Sequence, residues 1–347
     1  MIKTMKMKNI LKTACLVVLL SAGCTKSSEE GANVTTKRYF DAWRAINYPH
    51  AVETDGVYVI DDQPGTGDLW NADLPVSFIT YTVRSLDGTV SSNTDEDWAR
   101  QLGTWNKTYY YGQQVAMTGE NISYAGVDAI LKGMRAGGVR TAIIPSWMMT
   151  YDRDDTVDEY LENETDVSAA IYTIRLFGQT DDLVEYEYGQ LLDYASQTWG
   201  VTDTLTTAAV FFKSFTDFEE EPIEMPTDTT VYINYTGRRI SDGQVFDTTI
   251  ADTAKFYGIY NASKTYEPVS ITWAEDPTEI SMGTSTSSSG SDLVDGFQYG
   301  LAAMHAGEKA SFAFGYNLGY GTTGATNKNL VPGYAALRFD IEMVDEP

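Results

Sequence analysis

Residues 231–247 read VYINYTGRRISDGQVFD, and this stretch decides how the second half of the chain folds. Val231, Ile233 and Tyr235 alternate with Tyr232, Asn234 and Thr236, a period of two that assigns one set to each face of a β-strand. Asp242-Gly243 supplies the backbone of a tight hairpin turn, so the chain is predicted to fold back through Val245-Phe246-Asp247.

The same pattern occurs earlier. Residues 76–82, VSFITYT, alternate and run into Asp87-Gly88. Further along, Gly126-Val127, Leu131 and Met134-Arg135-Ala136-Gly137 match Gly296-Phe297, Leu301 and Met304-His305-Ala306-Gly307 without a gap. Each is predicted as a short amphipathic helix, apolar at i, i+4 and i+7 and stopped by glycine. Each copy then closes on an alternating strand, residues 171–176 and 337–343. A diverged internal repeat of one domain is the economical reading. Between the copies, Leu183, Val184, Leu191, Leu192, Ala195 and Trp199 mark one apolar helical face, with Thr180 as the expected N-cap and Gly200 as the stop.

Lys3, Lys6, Lys8 and Lys12 precede the apolar run at residues 14–20, and Ser21-Ala22-Gly23 precede Cys24. That is a charged leader, an apolar centre too short to span a bilayer, and a small-residue cleavage site. The Cys24 context resembles the lipobox of bacterial lipoproteins, although Ser21 stands where Leu is usual. The resemblance implies lipidation at Cys24 and anchoring to a membrane of the bacterial cell envelope, the outer membrane first, facing the periplasm or the surface. Cys15 leaves with the leader, so one Cys remains and neither an intramolecular disulfide nor a multi-cysteine zinc site can form.

The formal net charge is −25, and loss of four leader lysines makes the remainder more acidic still. Such a field repels nucleic acid and anionic headgroups, so no nucleic-acid partner is expected and membrane attachment falls to acyl chains. Tyr39, Phe40, Trp43 and Ile46 fall at helical spacing before Pro49, which predicts a short helix packed on the first domain or used for self-association; the oligomeric state stays open. The expected division is leader 1–23, lipidated tether and short helix 24–49, first domain 50–178, linker helix 179–204 and second domain 205–347.

The second copy carries further motifs in order: Leu293-Val294-Asp295-Gly296-Phe297, Ala306-Gly307-Glu308-Lys309-Ala310, Leu318-Gly319-Tyr320-Gly321, Val331-Pro332, and Ala336-Leu337-Arg338-Phe339-Asp340-Ile341. With residues 231–247 they resemble FKBP-type peptidyl-prolyl cis-trans isomerases. The resemblance implies an α+β architecture of two FKBP-like domains, each a curled antiparallel sheet around one short helix, joined by a linker helix. It implies isomerisation of X-Pro bonds in exported polypeptides by the second domain, without a cofactor. Carried over position by position, Tyr235, Phe246, Asp247, Val294 and Tyr320 are the expected catalytic residues. Leu293, Phe297, Val331 and Phe339 are the expected substrate-binding walls. Phe297 stands where Trp is commoner, which keeps an aromatic floor and loses an indole N–H.

The first copy departs from the pattern. Val90-Ser91-Ser92 stand in place of Val-Phe-Asp, Val127 replaces the floor aromatic and Thr173 is expected at the wall Phe. Trp147-Met148-Met149-Thr150-Tyr151 stand where the second copy has Leu318-Gly319-Tyr320-Gly321. This domain is expected to be structural or client-binding. The acidic insertion at residues 151–166 has clustered carboxylates that suit calcium but no EF-hand spacing, so a solvated acidic face is expected and no metal site. His50 and His305 stand alone, His305 expected exposed at its helix end. Residues 248–292, with Tyr257, Tyr260, Tyr266 and Trp273, form a long insertion, either a rim element of the site or a solvated surface. The alternative function is a lipid-anchored FKBP-fold binding or chaperone-like protein without catalysis.

Overall fold

The computed structural model describes residues 31–152, 156–162, 167–283, 293–325, 327 and 330–344. The expected leader, Cys24, most of the tether, parts of the acidic insertion and the end of the 248–292 insertion lie outside the described residues.

Alternating segments form two antiparallel sheets of seven strands each. The first contains β1 (Val52–Thr54), β2 (Val57–Gln63), β3 (Val76–Ser85), β4 (Val90–Asn93), β5 (Gln114–Met117), β6 (Val139–Ile144) and β7 (Ala170–Thr180). The second contains β8 (Val210–Ser214), β9 (Thr230–Arg239), β10 (Val245–Thr248), β11 (Val269–Thr272), β12 (Ser281–Met282), β13 (Lys309–Phe314) and β14 (Leu337–Val344). In space the first runs β1-β2-β6-β7-β3-β4 with β5 also on β3, and the second runs β12-β11-β9-β14-β13-β8 with β10 also on β9. Read from β8, the series β8-β13-β14-β9 repeats β2-β6-β7-β3, so the sequence repeat is a repeat of topology.

Register sharpens this correspondence. β10 pairs with β9 through Val245↔Arg238 and Asp247↔Gly237, leaving Phe246 in the bulge. β4 pairs with β3 through Val90↔Arg84 and Ser92↔Val83, leaving Ser91 in the same place. A bulge adds one residue to one strand and re-aims its side chain, which in the second sheet turns Phe246 toward the aromatic core.

The predicted helices are α1 (Ala32–Asn47), α3 (Ala125–Leu131), α5 (Leu183–Trp199) and α7 (Asp295–Ala302); α2 (Glu96–Gln101), α4 (Val157–Glu162) and α6 (Ala251–Tyr257) are additional. Each sheet packs one of the predicted short helices, α3 on the first and α7 on the second, as expected, and the additional helices lie outside that pairing. These three elements span two turns or less, too short for a helical period to stand out from the sequence around them. Around α4 the described carboxylates Asp152, Asp158, Glu159 and Glu162 are exposed, while Tyr160 is buried and its carbonyl accepts a hydrogen bond from Asn33 of α1. On α1, Phe40 is buried between Tyr58 and Trp147, whereas Tyr39 and Ile46 are exposed.

α7 lies tightly on its sheet because its inward face is glycine. A Cβ on Gly296 would come within 2.3 Å of the Phe314 ring, and one on Gly300 within 2.4 Å of Phe312. α3 does the same with Gly126, whose Cβ would meet Ile144 at 2.2 Å.

α5 is capped by Asp182, which accepts from the Glu185 N–H at 2.9 Å, and not by Thr180 as predicted. Thr180 instead takes the Asp182 N–H at 3.2 Å, one step outside the helix. Gly200, at φ 68°, ends it as the sequence indicated. Leu191, Ala195 and Trp199 bury against Phe211 and Ala313 of the second sheet, while Tyr186 stacks on Phe78 of the first at 4.4 Å. Among the described residues no helix is long and apolar enough to cross a membrane.

Overpacking a tight contact typically costs about 1–3 kcal/mol, so Gly300→Ala is expected to lower the unfolding free energy by that amount in a urea titration. Gly189→Ala, at an exposed helical position with open space around it, is expected to raise it by about 0.5–1 kcal/mol. Shifts of the same sign would contradict this packing.

Candidate active site

The site is assembled around Phe339. Its ring meets Phe297 edge-on at 4.7 Å and Phe246 at 5.7 Å, with Tyr235 at 6.4 Å. β14 places Phe339 opposite Gly237 of β9. A Cβ at Gly237 would sit 2.7 Å from Phe246 and 2.8 Å from Phe339, so the missing side chain is what lets the two rings meet there.

Two residues earlier on the same strand face, Tyr235 reaches the hairpin acid. Its hydroxyl donates to Asp247 Oδ2 at 2.6 Å. The other carboxylate oxygen accepts from the Thr248 N–H at 2.9 Å and from the Lys264 ammonium. Phe297 and Val331 are buried in the core that contains Phe339, and Leu293 and Val294 pack on its edge. Val294 is the N-cap residue of α7, its carbonyl accepting from the Phe297 N–H at 2.9 Å. Tyr320 follows the short turn Tyr316–Leu318 and sets its ring edge-on to Phe246 at 6.2 Å. All nine candidate residues thus fall in one cluster.

Burial first, and the Asp247 charge second, push the Tyr235 phenol far above its ordinary range. The same two causes, in the same order, raise Tyr320. Both are therefore hydroxyl donors across the physiological range, at the edge of a dry aromatic surface. The Tyr235–Asp247 pair joins a hydroxyl to a carboxylate, but it holds the phenol proton more tightly than usual, the opposite of an activated nucleophile. The surface suits a neutral, apolar group that needs a few directed hydrogen bonds.

Lys264 is the site residue that sequence reading missed. The only signal was a lysine among the tyrosines of the insertion, where it lies 5.6 Å from the Tyr266 ring centre. The described part of that insertion is bound to the domain. Arg238 donates to the Tyr257 hydroxyl at 2.8 Å, Trp273 is buried, and the Gln298 amide donates to the Thr278 and Ile280 carbonyls at 2.8 and 2.9 Å. It is a rim element, and the solvated alternative is set aside for these residues.

In the first domain, register corrects one assignment. Tyr172, and not Thr173, stands opposite Val83 as Phe339 stands opposite Gly237. An error of one residue moves a side chain to the other face of a strand. Thr173 meets the Thr141 hydroxyl at 3.0 Å. Burial chiefly, with Tyr124, Tyr81 and Tyr151 adding to it, pushes the Tyr172 phenol up to about 12. The wall aromatic is thus kept as Tyr, while Ser91 and Ser92 replace Phe and Asp and Val83 puts a side chain where Gly237 leaves room. His305 is also less exposed than expected, its backbone N–H held by Glu308 at 2.8 Å and its ring edge-on to Phe218 at 6.0 Å.

Residues 221–344 match the family model described as FKBP-type peptidyl-prolyl cis-trans isomerase. Among solved structures, the three FKBP domains of wheat FKBP73 share 16% identity, covering 83% of this chain and 94% of that one, with a TM-score of 0.29. FkpA from Escherichia coli shares 24% identity over 47% of this chain and 60% of its own, with a TM-score of 0.30. A peptidyl-prolyl cis-trans isomerase from Pseudomonas syringae shares 18% over 47% and 91%, with a TM-score of 0.30. No curated protein matches the chain. The chain is an α+β protein with two antiparallel sheets, and the matched segment contains all nine candidate residues.

Because the Asp247 charge and its hydrogen bond both hold the Tyr235 proton, Asp247→Asn is expected to lower the ionisation midpoint of Tyr235. An alkaline absorbance titration against Tyr235→Phe isolates that phenol. An unchanged curve in Asp247→Asn would contradict the coupling.

Proposed function

We propose that this protein is a tandem FKBP-like peptidyl-prolyl isomerase of the bacterial cell envelope, catalytic in its second domain and acting on proline-containing exported polypeptides. The observation that carries the reading is the Phe339-centred aromatic cluster, with the Tyr235–Asp247 pair and Tyr320 at its edge.

The chemistry asks for little else. Rotation about a peptide bond is opposed by about 18–20 kcal/mol because resonance is lost in the twisted form. The twisted amide has a smaller dipole than the planar one and is favoured by a dry apolar surface. Phe246, Phe297, Val331 and Phe339 offer that surface to the prolyl ring, and Leu293-Val294 lie where the start of α7 meets it. The Tyr320 hydroxyl is a donor for the substrate carbonyl, and Asp247, fixed by Tyr235, lies beside the imide. A thousandfold acceleration corresponds to about 4 kcal/mol of differential stabilisation, within reach of such contacts.

In this reading the first domain holds client chains or supports the second, and Cys24 carries acyl chains that keep both at a membrane, the outer membrane first. The net charge, −25 for the whole sequence and more negative without the four leader lysines, supports solubility beside that membrane and leaves attachment to the lipid. A second reading, a lipid-anchored binding protein without catalysis, is favoured by one observation: the Lys264 ammonium sits on Asp247 and neutralises it.

A protease-free assay on residues 25–347 with X-Pro peptides separates the two. Catalysis is expected, with Phe246→Ala and Asp247→Ala each lowering kcat/KM by about tenfold or more, a loss of about 1.4 kcal/mol. A folded wild-type chain that gives no acceleration would sink the enzyme reading. Labelled palmitate is expected on the intact protein and absent from Cys24→Ser; equal labelling removes Cys24 as the anchor.

A further inference from the structure

Tyr320 is presented by a turn whose N-terminal peptide is held from outside the family-matched segment. The Tyr316 N–H points at the carboxylate of Glu187, 3.1 Å from Oε1 and 3.0 Å from Oε2. The Tyr316 carbonyl accepts from the Gly319 N–H at 3.0 Å and the Gly321 N–H at 2.9 Å, the residues on either side of Tyr320. The backbone of one residue, Tyr316, therefore ties Glu187 to both neighbours of the candidate catalytic tyrosine, its N–H on one side and its carbonyl on the other. Gly315 makes the approach possible, since a Cβ there would lie 2.2 Å from Glu187 Oε2.

Glu187 is itself rigidly placed. It lies on α5, which is fixed to the second sheet by the buried side chains of Leu191 and Ala195 and by Arg338, which donates to the Tyr194 hydroxyl at 2.8 Å. Its neighbour Tyr186 stacks on Phe78 of the first sheet. A cleft of about 500 Å³ opens beside it, bordered by the first sheet, α5 and the second-domain segments 240–241 and 332–336.

We propose that Glu187 is a positioning residue: the linker helix, through this carboxylate, sets the turn that carries Tyr320, so the site is completed from outside the domain that resembles the family. The consequence for turnover rests on the isomerase reading, whereas the geometry does not.

The carboxylate is held there at a cost to stability. Burial raises it to about 7, against the lowering effect of the Tyr316 N–H. The ionisable groups around it are Asp182, before α5, Asp193, Tyr186 and Tyr194, on α5, and Tyr110, Tyr316 and Tyr334, from the facing loops; beyond them Arg338 donates to the Tyr194 hydroxyl and Arg239 lies 5.5 Å from the Tyr110 ring centre. Among the described residues that line the cleft there is no Lys, Arg or His to neutralise it. His50 and His305 belong to other elements, after α1 and α7. With the folded value raised above the unfolded one, this group's contribution favours the fold at low pH and is lost as pH rises through about 7. A group acting only as a structural prop would support stability and activity together. Here the ionised form favours the turn and opposes the fold.

The test uses the full chain with Glu187→Gln, which mimics the protonated side chain, and Glu187→Ala. In the wild type, the Tyr316 amide and Tyr320 ring resonances are expected to shift together with a midpoint near pH 7. kcat/KM for an X-Pro peptide should rise severalfold across the same range. Glu187→Gln should show neither titration, should keep the low-pH rate at every pH, and should melt above the wild type on the alkaline side. Glu187→Ala should be slower still. Wild-type resonances and pH profile in Glu187→Gln would overturn the proposal, as would a Tyr316 titration that leaves Tyr320 unmoved. If the wild type does not accelerate isomerisation, the isomerase reading fails, and the resonances alone decide whether Glu187 sets the turn.

Discussion

The second domain is organised around a side chain that is absent. Gly237 leaves a space near the C-terminal end of β9 that the Phe246 and Phe339 rings enter from the bulged hairpin and from the neighbouring strand. The glycine face of α7 allows Phe297 to approach the same point from the other side. Core and candidate site are thus one aromatic cluster, buried at Phe297 and Phe339 and open at Phe246 and Tyr320. A polar group within it must be satisfied, and Tyr235 is satisfied by Asp247, which also fixes the acid at the rim.

The first domain shows the same framework with that space filled. Val83 occupies the position of Gly237, and Ser91 and Ser92 occupy those of Phe246 and Asp247. The fold survives these changes because strand order and register depend on the alternation of apolar residues, and not on any single pocket wall. One topology therefore appears twice, once with an aromatic site at its centre and once with a tyrosine-lined core.

Much of this was legible in the sequence because its signals are local. Alternation in residues 231–236, the Asp-Gly turns and the gapless match of α3 to α7 each depend on a few adjacent residues. The nine candidate residues were found by motif, and the sheet brings them together. What escaped was set by register or by distant contact. Tyr172, and not Thr173, holds the wall position, because a strand's face cannot be fixed by spacing alone once the connecting loops differ in length. Lys264 and Glu187 meet their partners across 17 and 129 residues of chain, and nothing adjacent to either marks the contact. The short helices α2 and α6, of six and seven residues, escaped because neither recurs in the other copy, whereas α3, also seven residues, is marked by its gapless match to α7.

We propose that X-Pro bonds are rotated at the Phe339 cluster of the second domain and not in the first. Two-dimensional exchange NMR of a prolyl peptide with the full chain, read from both the peptide and the labelled protein, tests it most directly. The account predicts cis–trans exchange peaks in the presence of the protein, with shift changes at Tyr235, Phe246, Val294, Phe297, Tyr320 and Phe339. Exchange at the undiminished wild-type rate in Phe246→Ala, or shift changes centred on Tyr81, Val83 and Tyr172 of the first sheet, would contradict it.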